Sequence, residues 1–571
     1  MRFPLHVLAV TILVAASGCE TGKAPTGPAS LTENIRFTDG SKGSGVAFLH
    51  IGGRSGEKWM PEVLGGGVAV ADFNRDGAPD LLFVNGGSVT QEERSSEAGN
   101  RLFMNDGKGG FADRTADWKL TSRGYGQGVA VGDYDSDGLI DVFLTDYFGD
   151  NRLLRNTGAS FEDATESSGI TNDGKWATSA GFFDLDGDGD LDLFVVRYVA
   201  YSRESHVGTY NNGLPTYSAP FLYEPVADQI WENIGGGRFV NASEKAGIGA
   251  EAQKGLALAI GDIDKDGDQD VYTANDTTPN QLWINDGKGR FTEKAKLTGC
   301  AYSEIGLEEG SMGADFSDYD GNGLLDIAVS NFQAEPTALY SQESPMLFRE
   351  VSDATGIGAT ARQRLKFGIE FFDADNDGDE ELVVANGHIE DNIEKNSSSV
   401  TFAQPNTLYE NLGDGKFKDI SEIAGPALAD KQVSRGLAVA DLDGDGDLDF
   451  VVVNNGGTAQ IAFNETAKKG NFAMFWLDGV KANRNAIGAR LVAKIGGKTI
   501  ERQVMGAQSY LSVSDLRVHF GLGDAQKIDE LTIFWPGGEK QTLNDVAANK
   551  FYYVKEGEAA REFVPGKFSK Q

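Results

Sequence analysis

Residues 441–453, DLDGDGDLDFVVV, carry acids at every second position, a glycine at the sixth, another acid at the ninth, and then an apolar run. Six further stretches share the design: DFNRDGAPDLLFV from Asp72, DYDSDGLIDVFLT from Asp133, DLDGDGDLDLFVV from Asp184, DIDKDGDQDVYTA from Asp262, DYDGNGLLDIAVS from Asp318 and DADNDGDEELVVA from Asp373. Side-chain oxygens at positions 1, 3, 5 and 9, with the position 7 carbonyl turned inward, can supply the roughly six to eight oxygens that Ca²⁺ takes. The sixth glycine lets the backbone turn tightly. The ligand sets so defined are Asp72, Asn74, Asp76 and Asp80; Asp133, Asp135, Asp137 and Asp141; Asp184, Asp186, Asp188 and Asp192; and Asp262, Asp264, Asp266 and Asp270. The remaining three are Asp318, Asp320, Asn322 and Asp326; Asp373, Asp375, Asp377 and Glu381; and Asp441, Asp443, Asp445 and Asp449.

No Cys or His sits in any of these loops, which argues against zinc and copper. An EF-hand is excluded at position 12, where a bidentate Glu is required and Phe83, Leu144, Val195, Thr273, Val329, Val384 and Val452 stand instead. The expected cofactor is therefore Ca²⁺ in a structural role, up to seven ions. The loops with Asn74 and Asn322, each one charge short, are expected to be the weakest. A net charge of −35 argues against nucleic acid and anionic lipid surfaces as partners. Much of that charge lies in the loops, where like charges repel, so the fold is expected to depend on the ion. Holding one site at a hundredfold above its dissociation constant adds about 2.7 kcal/mol.

Residues 1–18 read as a signal peptide: Arg2, the apolar run Leu5 to Ala16, then small residues before Cys19. The run is too short to span a bilayer. Ala16-Ser17-Gly18-Cys19 resembles a bacterial lipobox, with Ala16 where Leu is usual, and the resemblance implies that Cys19 is lipidated. Residues 19–34 then form a lipidated Cys and a polar linker, and the expected location is the bacterial cell envelope, lipid-anchored or otherwise secreted. Cys300 is left without a disulfide partner in the mature chain and is expected to be a small packing residue.

Each acidic loop sits inside a larger unit. From Gly67 the order is GVAVAD, the loop, DLLFVN, a connection, NRLFMND, a glycine turn and GFADRT, which reads as four short strands. The last two strands recur as NRLLRNTGASFEDAT, DQIWENIGGGRFVNAS, NQLWINDGKGRFTEKA, TALYSQESPMLFREVS and NTLYENLGDGKFKDIS. Four-stranded units at this spacing suit a β-propeller, since a blade buries both faces only between neighbours. The units resemble FG-GAP or VCBS repeats of integrin α-subunit propellers, and the predicted fold is all-β: a seven-bladed propeller over 35–470 followed by a small C-terminal β domain. The last unit lacks a fourth strand, and Arg36 to Gly40 matches that pattern, so this N-terminal strand is predicted to complete the seventh blade.

Strand order puts the acidic loops and the hairpin turns on one face, and the connections between second and third strands on the other. The connections 85–100, 197–229 and 386–406 are the long ones. Long loops on a rigid scaffold commonly carry binding. Tyr198, Tyr201, Tyr210, Tyr217, Phe221 and Tyr223 in the second mark a candidate ligand face, with packing of the loop against its own blade as the alternative. His388 with Glu390 or Asp391 reads as a hydrogen-bonded rim turn rather than an acid/base pair, because no third catalytic group can be named.

Residues 471–557 alternate as strands without an acidic loop, with 558–571 as a tail. ANRNAIGARL, VHFGLG and IFWPGGEKQTL resemble the ASPIC/UnbV domain, with Gly537 where Ser is common. Repeats followed by this domain are the layout of the cartilage acidic protein family. The resemblance implies adhesion or matrix association, with an extracellular glycan or protein as ligand. An enzyme acting on polysaccharide is the rival reading, although no carboxylate pair stands apart from the metal ligands. A periplasmic assembly scaffold is the third, and an exposed patch at Trp476 or Trp535 would favour it.

Overall fold

The computed structural model describes residues 35–90, 98–467 and 469–568. The signal peptide, Cys19 and the linker lie outside the described residues. Nearly all regular structure is β, and seven four-stranded sheets recur along the chain, which we number blades 1 to 7. Blade 4 is representative: Gly255–Gly261, Asp270–Asn275, Gln281–Asn285 and Phe291–Glu293 pair in order, all antiparallel. The first strands begin at Val68, Gly126, Ala177, Gly255, Ser311, Lys366 and Ser434, and each packs beside the first strand of the next blade, the seventh beside the first.

Sequence pattern follows radial position. Every residue of the first and second strands of blade 4 is buried, which explains the unbroken apolar run LALAI in the first, where a half-exposed strand would alternate. Small residues dominate the first strands because backbones converge there: a Cβ on Gly436 would lie 2.4 Å from the Gly66 carbonyl oxygen. The fourth strands are short and mostly exposed, as in Phe161–Asp163, and so offer little edge for pairing with another chain.

The ring closes as predicted. Phe37–Asp39 pairs antiparallel with Gln460–Asn464, in the register Phe37 opposite Asn464, and supplies the fourth strand of blade 7. Phe37 is fully buried between Phe372 and Phe450, so closure is held by an aromatic anchor as well as by backbone bonds.

The C-terminal unit stacks two four-stranded sheets. One orders Val518–Gly523, Asn471–Asp478, Lys550–Lys555 and Arg561–Phe563; the other orders Lys498–Gln503, Arg490–Ile495, Lys527–Phe534 and Lys540–Ala547. Phe475, Leu491, Ile533 and Trp535 fill the space between them. The segment read as a tail is built in: Arg561–Phe563 is a sheet strand, and Phe568 packs against Trp476 in a tilted arrangement with ring centroids 4.9 Å apart. Among the described residues no helix is long and apolar enough to cross a membrane.

A second departure from the sequence reading lies between Gln503 and Val518. This segment leaves the C-terminal unit and runs into the propeller axis. Its backbone and side chains bond the first strands of six blades: Ile260 N–H to Ala507 O at 3.1 Å, Ser509 N–H to Ala314 O at 2.7 Å, Ile369 N–H to Ser509 Oγ at 3.3 Å, Val129 N–H to Leu511 O at 3.1 Å, Val70 N–H to Val513 O at 3.0 Å and Val439 N–H to Ser514 Oγ at 2.8 Å. Gly506 meets the remaining one, blade 3, where a Cβ would lie 2.0 Å from Phe182 O. Tyr510, fully buried, donates to Leu64 O at 2.8 Å. Innermost strands turn one edge of backbone donors and acceptors toward the axis, and this plug satisfies part of it. Truncating a large buried aromatic costs about 3–5 kcal/mol. Tyr510→Ala is therefore expected to lower unfolding free energy by about 3 kcal/mol or more in urea titrations; a loss under 1 kcal/mol would show that the plug is not part of the core.

Candidate metal centres and ligand face

The acidic loops share one hydrogen-bond plan. The position 1 carboxylate accepts the N–H of the position 6 glycine in all seven, at 2.6–3.2 Å. The position 5 side chain accepts the N–H of position 7, as Asp137 does from Leu139 at 2.9 Å and Asn322 from Leu324 at 2.7 Å. Gly138 and Gly446 hold φ of 87° and 94°, a left-handed conformation that favours glycine.

Position 9 opens the second strand and is buried in every blade, so its charge lies deepest. One of its oxygens accepts a backbone N–H from the last inner position of the third strand: Asn105, Asn156, Asn233, Asn285, Gln342, Asn411 or Asn464, at 2.7–3.3 Å. The amide of that same residue donates to the position 2 carbonyl in the loop of the preceding blade, at 2.8–3.3 Å, and Asn105 closes the circuit onto Leu442 of blade 7. Each loop is thus tied to its third strand and to its neighbour. The signal was present as the Asn ending NRLFMN, NRLLRN, DQIWEN and NQLWIN, but a lone Asn before a glycine turn reads as turn chemistry.

Positions 1, 3 and 9 converge. Asp133, Asp135 and Asp141; Asp184, Asp186 and Asp192; Asp262, Asp264 and Asp270; Asp318, Asp320 and Asp326; and Asp373, Asp375 and Glu381 each offer ligand oxygens within 4.8 Å of one another, and these clusters could hold metal ions. Buried oxygens of Asp262, Asp318, Asp326 and Asp375 have no hydrogen-bond partner, so the donor sets keep capacity for a hard cation. Blade 2 is different: Arg155 donates to Asp135 at 2.5 Å and to Asp137 at 2.9 Å and so partly neutralises its own cluster. In blade 7, Lys469 pairs with Asp445 at 3.1 Å.

Burial, followed by neighbouring carboxylates, raises these acids. Asp72, Asp133 and Asp441 are pushed up to about 7 and Asp326 to about 8, while Asp80, Asp141, Asp192, Asp270, Asp373, Glu381 and Asp449 go well above the usual carboxylate range. A raised acid binds protons more tightly folded than unfolded. Its stabilising share is complete below the unfolded value near 4 and is lost as pH rises through the folded value.

The C-terminal unit covers this face. Arg517 donates to Gly77 O at 2.9 Å, Arg502 to Gly378 O at 3.1 Å and Gln503 to Asp262 O at 3.1 Å, while Asn485 accepts the Asp133 N–H at 2.6 Å. These bonds fall on the loop backbones rather than on the clustered carboxylates.

The opposite face carries the long connections. Four of the six aromatics named from the sequence are built into the scaffold: Tyr198 donates to Asp276 at 2.5 Å, Tyr217 to Glu62 at 3.2 Å, Tyr201 bonds His206 at 3.0 Å, and Tyr223 accepts the Val207 N–H at 3.0 Å. All four are buried, whereas Tyr210, on the hairpin Thr209–Asn211 and Leu214–Thr216, and Phe221 are each 72% exposed. Phe221 lines a cavity of about 290 Å³ at the axial mouth, with Met60, Leu64, Met312, Phe332 and the carboxylates of Asp276, Glu335 and Glu390. Burial raises Asp276 to about 6 and Glu335 above the usual range. His388 is buried, bonded at Nε2 to Gln333 (2.9 Å) and at Nδ1 to the Glu390 N–H (3.0 Å), and burial lowers it to about 4, so it is a neutral turn residue. Cys300 is fully buried in the adjoining core.

A closed set of four-stranded sheets with acidic loops between first and second strands defines a propeller of FG-GAP type. The family model described as FG-GAP-like repeat matches residues 72–144, 133–195, 262–329 and 373–452, and that described as ASPIC and UnbV matches 479–561. The chain is accordingly made of FG-GAP-like repeats with a C-terminal ASPIC and UnbV domain. Its homologues over most of its length are named cartilage acidic protein 1. The Mus musculus protein is 25% identical over 517 residues, covering 87% of this chain and 74% of the relative, and the Homo sapiens protein is 25% identical over 520 residues, covering 87% and 72%. Among solved structures, the BP39L lectin from Burkholderia pseudomallei aligns with a TM-score of 0.42 at 11% identity, covering 71% of this chain and 98% of that one. BBS1N in complex with ARL6DN aligns at 0.39 and 9%, covering 76% and 99%.

Two outcomes follow from the loops. Asn285→Ala strips the donors from Leu185 O and Gln269 O, and leaving buried acceptors unpaired costs roughly 1–3 kcal/mol each, so stability is expected to fall by about 2 kcal/mol or more in denaturant titration. In chelator, the melting temperature is expected to fall steadily from pH 5 to pH 8. A melting temperature flat or rising over that window would show that the buried carboxylates keep a counter-ion of their own.

Proposed function

We propose that the protein is a calcium-binding propeller of the bacterial cell envelope, held by a lipid on Cys19, which binds an extracellular glycan or protein on its long-loop face. The observation that carries the reading is the asymmetry of the two faces. One is sealed by the C-terminal unit and filled along the axis by residues 504–515; the other opens as a cavity of about 290 Å³, with Phe221 exposed at its edge and Tyr210 exposed on the neighbouring hairpin. An aromatic face beside carboxylates suits the apolar face and hydroxyls of a sugar ring, or an aromatic or cationic side chain of a protein.

Calcium fits the loops because their donors are all hard oxygens, several of them without other partners. Bound there, the ion supplies the positive charge that the converging carboxylates lack. The loops hold it in place, and the Asn circuit carries the resulting rigidity from blade to blade. Blade 2, where Arg155 competes, joins the Asn74 and Asn322 loops at the weak end of the series. The scaffold reading loses support at the C-terminal unit, where Trp535 is buried and Trp476 is covered by Phe563, Phe568 and Arg75.

The test is binding of residues 20–571 to polysaccharide and matrix-protein arrays, with Ca²⁺ and with chelator, followed by analysis of bound glycans for cleavage products. Binding that needs Ca²⁺, leaves glycans intact and drops roughly tenfold or more in Phe221→Ala, but not in Val480→Ala on the C-terminal unit, supports the proposal. Binding untouched by Phe221→Ala and Tyr210→Ala removes the long-loop face as the site, and cleaved glycan replaces the reading with an enzyme.

A further inference from the structure

Where the plug enters the propeller from the acidic-loop side, a second cavity of about 120 Å³ lies between the two units. Its walls come from blades 5, 6 and 7 and from residues 501–519. Apart from the loop residues Asp318 and Asp373, four carboxylates line it: Glu370, Glu380, Glu501 and Asp515. Three have cations. Glu380 pairs with Arg502 at 3.0 Å, Asp515 with Arg517 at 2.5 Å, and Glu501 with Lys265 at 2.9 Å and Arg490 at 3.0 Å. Glu370 has none.

Glu370 is 4% exposed and sits on the first strand of blade 6, next to the first strand of blade 5, which places Asp315 at its side. Asp315 is satisfied, with one oxygen taking the Phe316 N–H at 2.8 Å and the other the Phe371 N–H at 2.7 Å. Glu370 is not. Against its burial, the charged form is favoured by the Ser514 hydroxyl and by a long bond of 3.4 Å from Gln508 Nε2 to Oε1, while Oε2 is left without a hydrogen bond. Gln508, 8% exposed and part of the plug, likewise leaves Oε1 without a donor. Two buried, unsatisfied oxygens, one from each unit, therefore line the same cavity, beside a second carboxylate and with no cation paired to either. Such oxygens are costly to bury unless something binds them. Both unsatisfied atoms are oxygens, the two arginines on the wall, Arg502 and Arg517, are already paired with Glu380 and Asp515, no Cys lines the space, and there is room for several waters. A hard divalent cation held by one or two carboxylates and otherwise hydrated matches that description.

We propose that this cavity is a further cation site, distinct from the seven loops, in which Glu370 Oε2 and Gln508 Oε1 hold a hydrated divalent ion and thereby clasp the C-terminal unit to the propeller axis. The site lies on the face away from the long loops, so it stands or falls independently of the ligand proposed there.

The experiment is crystallography of residues 20–571 with Mn²⁺ as the probe, read by anomalous scattering. The expected result is a peak in the axial cavity roughly 2 Å from Glu370 Oε2, in addition to peaks in the acidic loops. An axial cavity without a peak, whether or not the loops are filled, overturns the proposal and assigns Glu370 a proton instead. As a check in solution, native mass spectrometry in Mn²⁺ is expected to count one ion fewer on Glu370→Gln and on Gln508→Leu than on the unsubstituted chain; equal counts on all three overturn it as well.

Discussion

The structure depends on where it puts negative charge. A carboxylate at the start of each second strand is buried between a blade and its neighbour, and it is there because its oxygens organise the backbone around it. One takes a third-strand N–H, and the residue supplying that N–H reaches on to the next blade. Packing alone does not compensate for a charge so placed, since an isolated ion inside a protein costs many kcal/mol unless it is paired or neutralised. Backbone N–H groups stabilise it in part. The remainder falls to a proton or a cation, and for that reason the acids at positions 1, 3 and 9 converge on one point instead of spreading apart as like charges do in water.

The same logic explains why the C-terminal unit is part of the core rather than an appendage. A ring of blades leaves the inner edge of each first strand facing an axial channel. Water can satisfy such edges, but only while the channel stays wet. Residues 504–515 take that place with backbone and hydroxyl groups, and Tyr510 and Leu511 fill the bore with apolar volume. Arg502, Gln503 and Arg517 meanwhile grip loop carbonyls. Docking of the unit and the conformation of the loops are therefore one equilibrium: whatever orders the loops presents the carbonyls that the unit binds. A propeller capped in this way has one free end, so any partner of the axial region must approach over the long loops.

Legibility in the sequence followed the range of the interactions. The acidic loops were readable because spacing within nine residues defines them, and the four-strand units because turns and alternation are local. Closure by Phe37–Asp39 was readable because a repeat with a missing member points to where the member must be. What stayed hidden was set by contacts between distant segments. Ser509 to Ser514 mix polar and apolar residues like any short strand, and nothing local to them points to the propeller that surrounds them. Asn285 looks like a turn residue until the neighbouring carbonyl of Leu185 is placed against it. Arg155 changes the blade 2 loop from 18 residues away, through Asp137, by crossing to it from the third strand.

The aromatic loop shows the limit of composition as a guide to binding. Six rings in one connection suggested a stacking surface, yet four spend their hydroxyls on the scaffold: Tyr217 on Glu62 beneath the cavity, Tyr198 on Asp276 in its wall, and Tyr201 and Tyr223 on His206 and Val207 of their own connection. A phenol that finds a buried acceptor is more valuable to folding than to an absent ligand, so tyrosines are drawn inward where phenylalanine and an unpartnered tip are not. The buried four hold the loop in one conformation and leave Phe221 and Tyr210 presented on a rigid support. That division lowers the entropy lost on binding, because the side chains that touch the partner no longer have a mobile loop to order. Ring count along a loop thus measures the stiffness of the platform, and exposure measures the site.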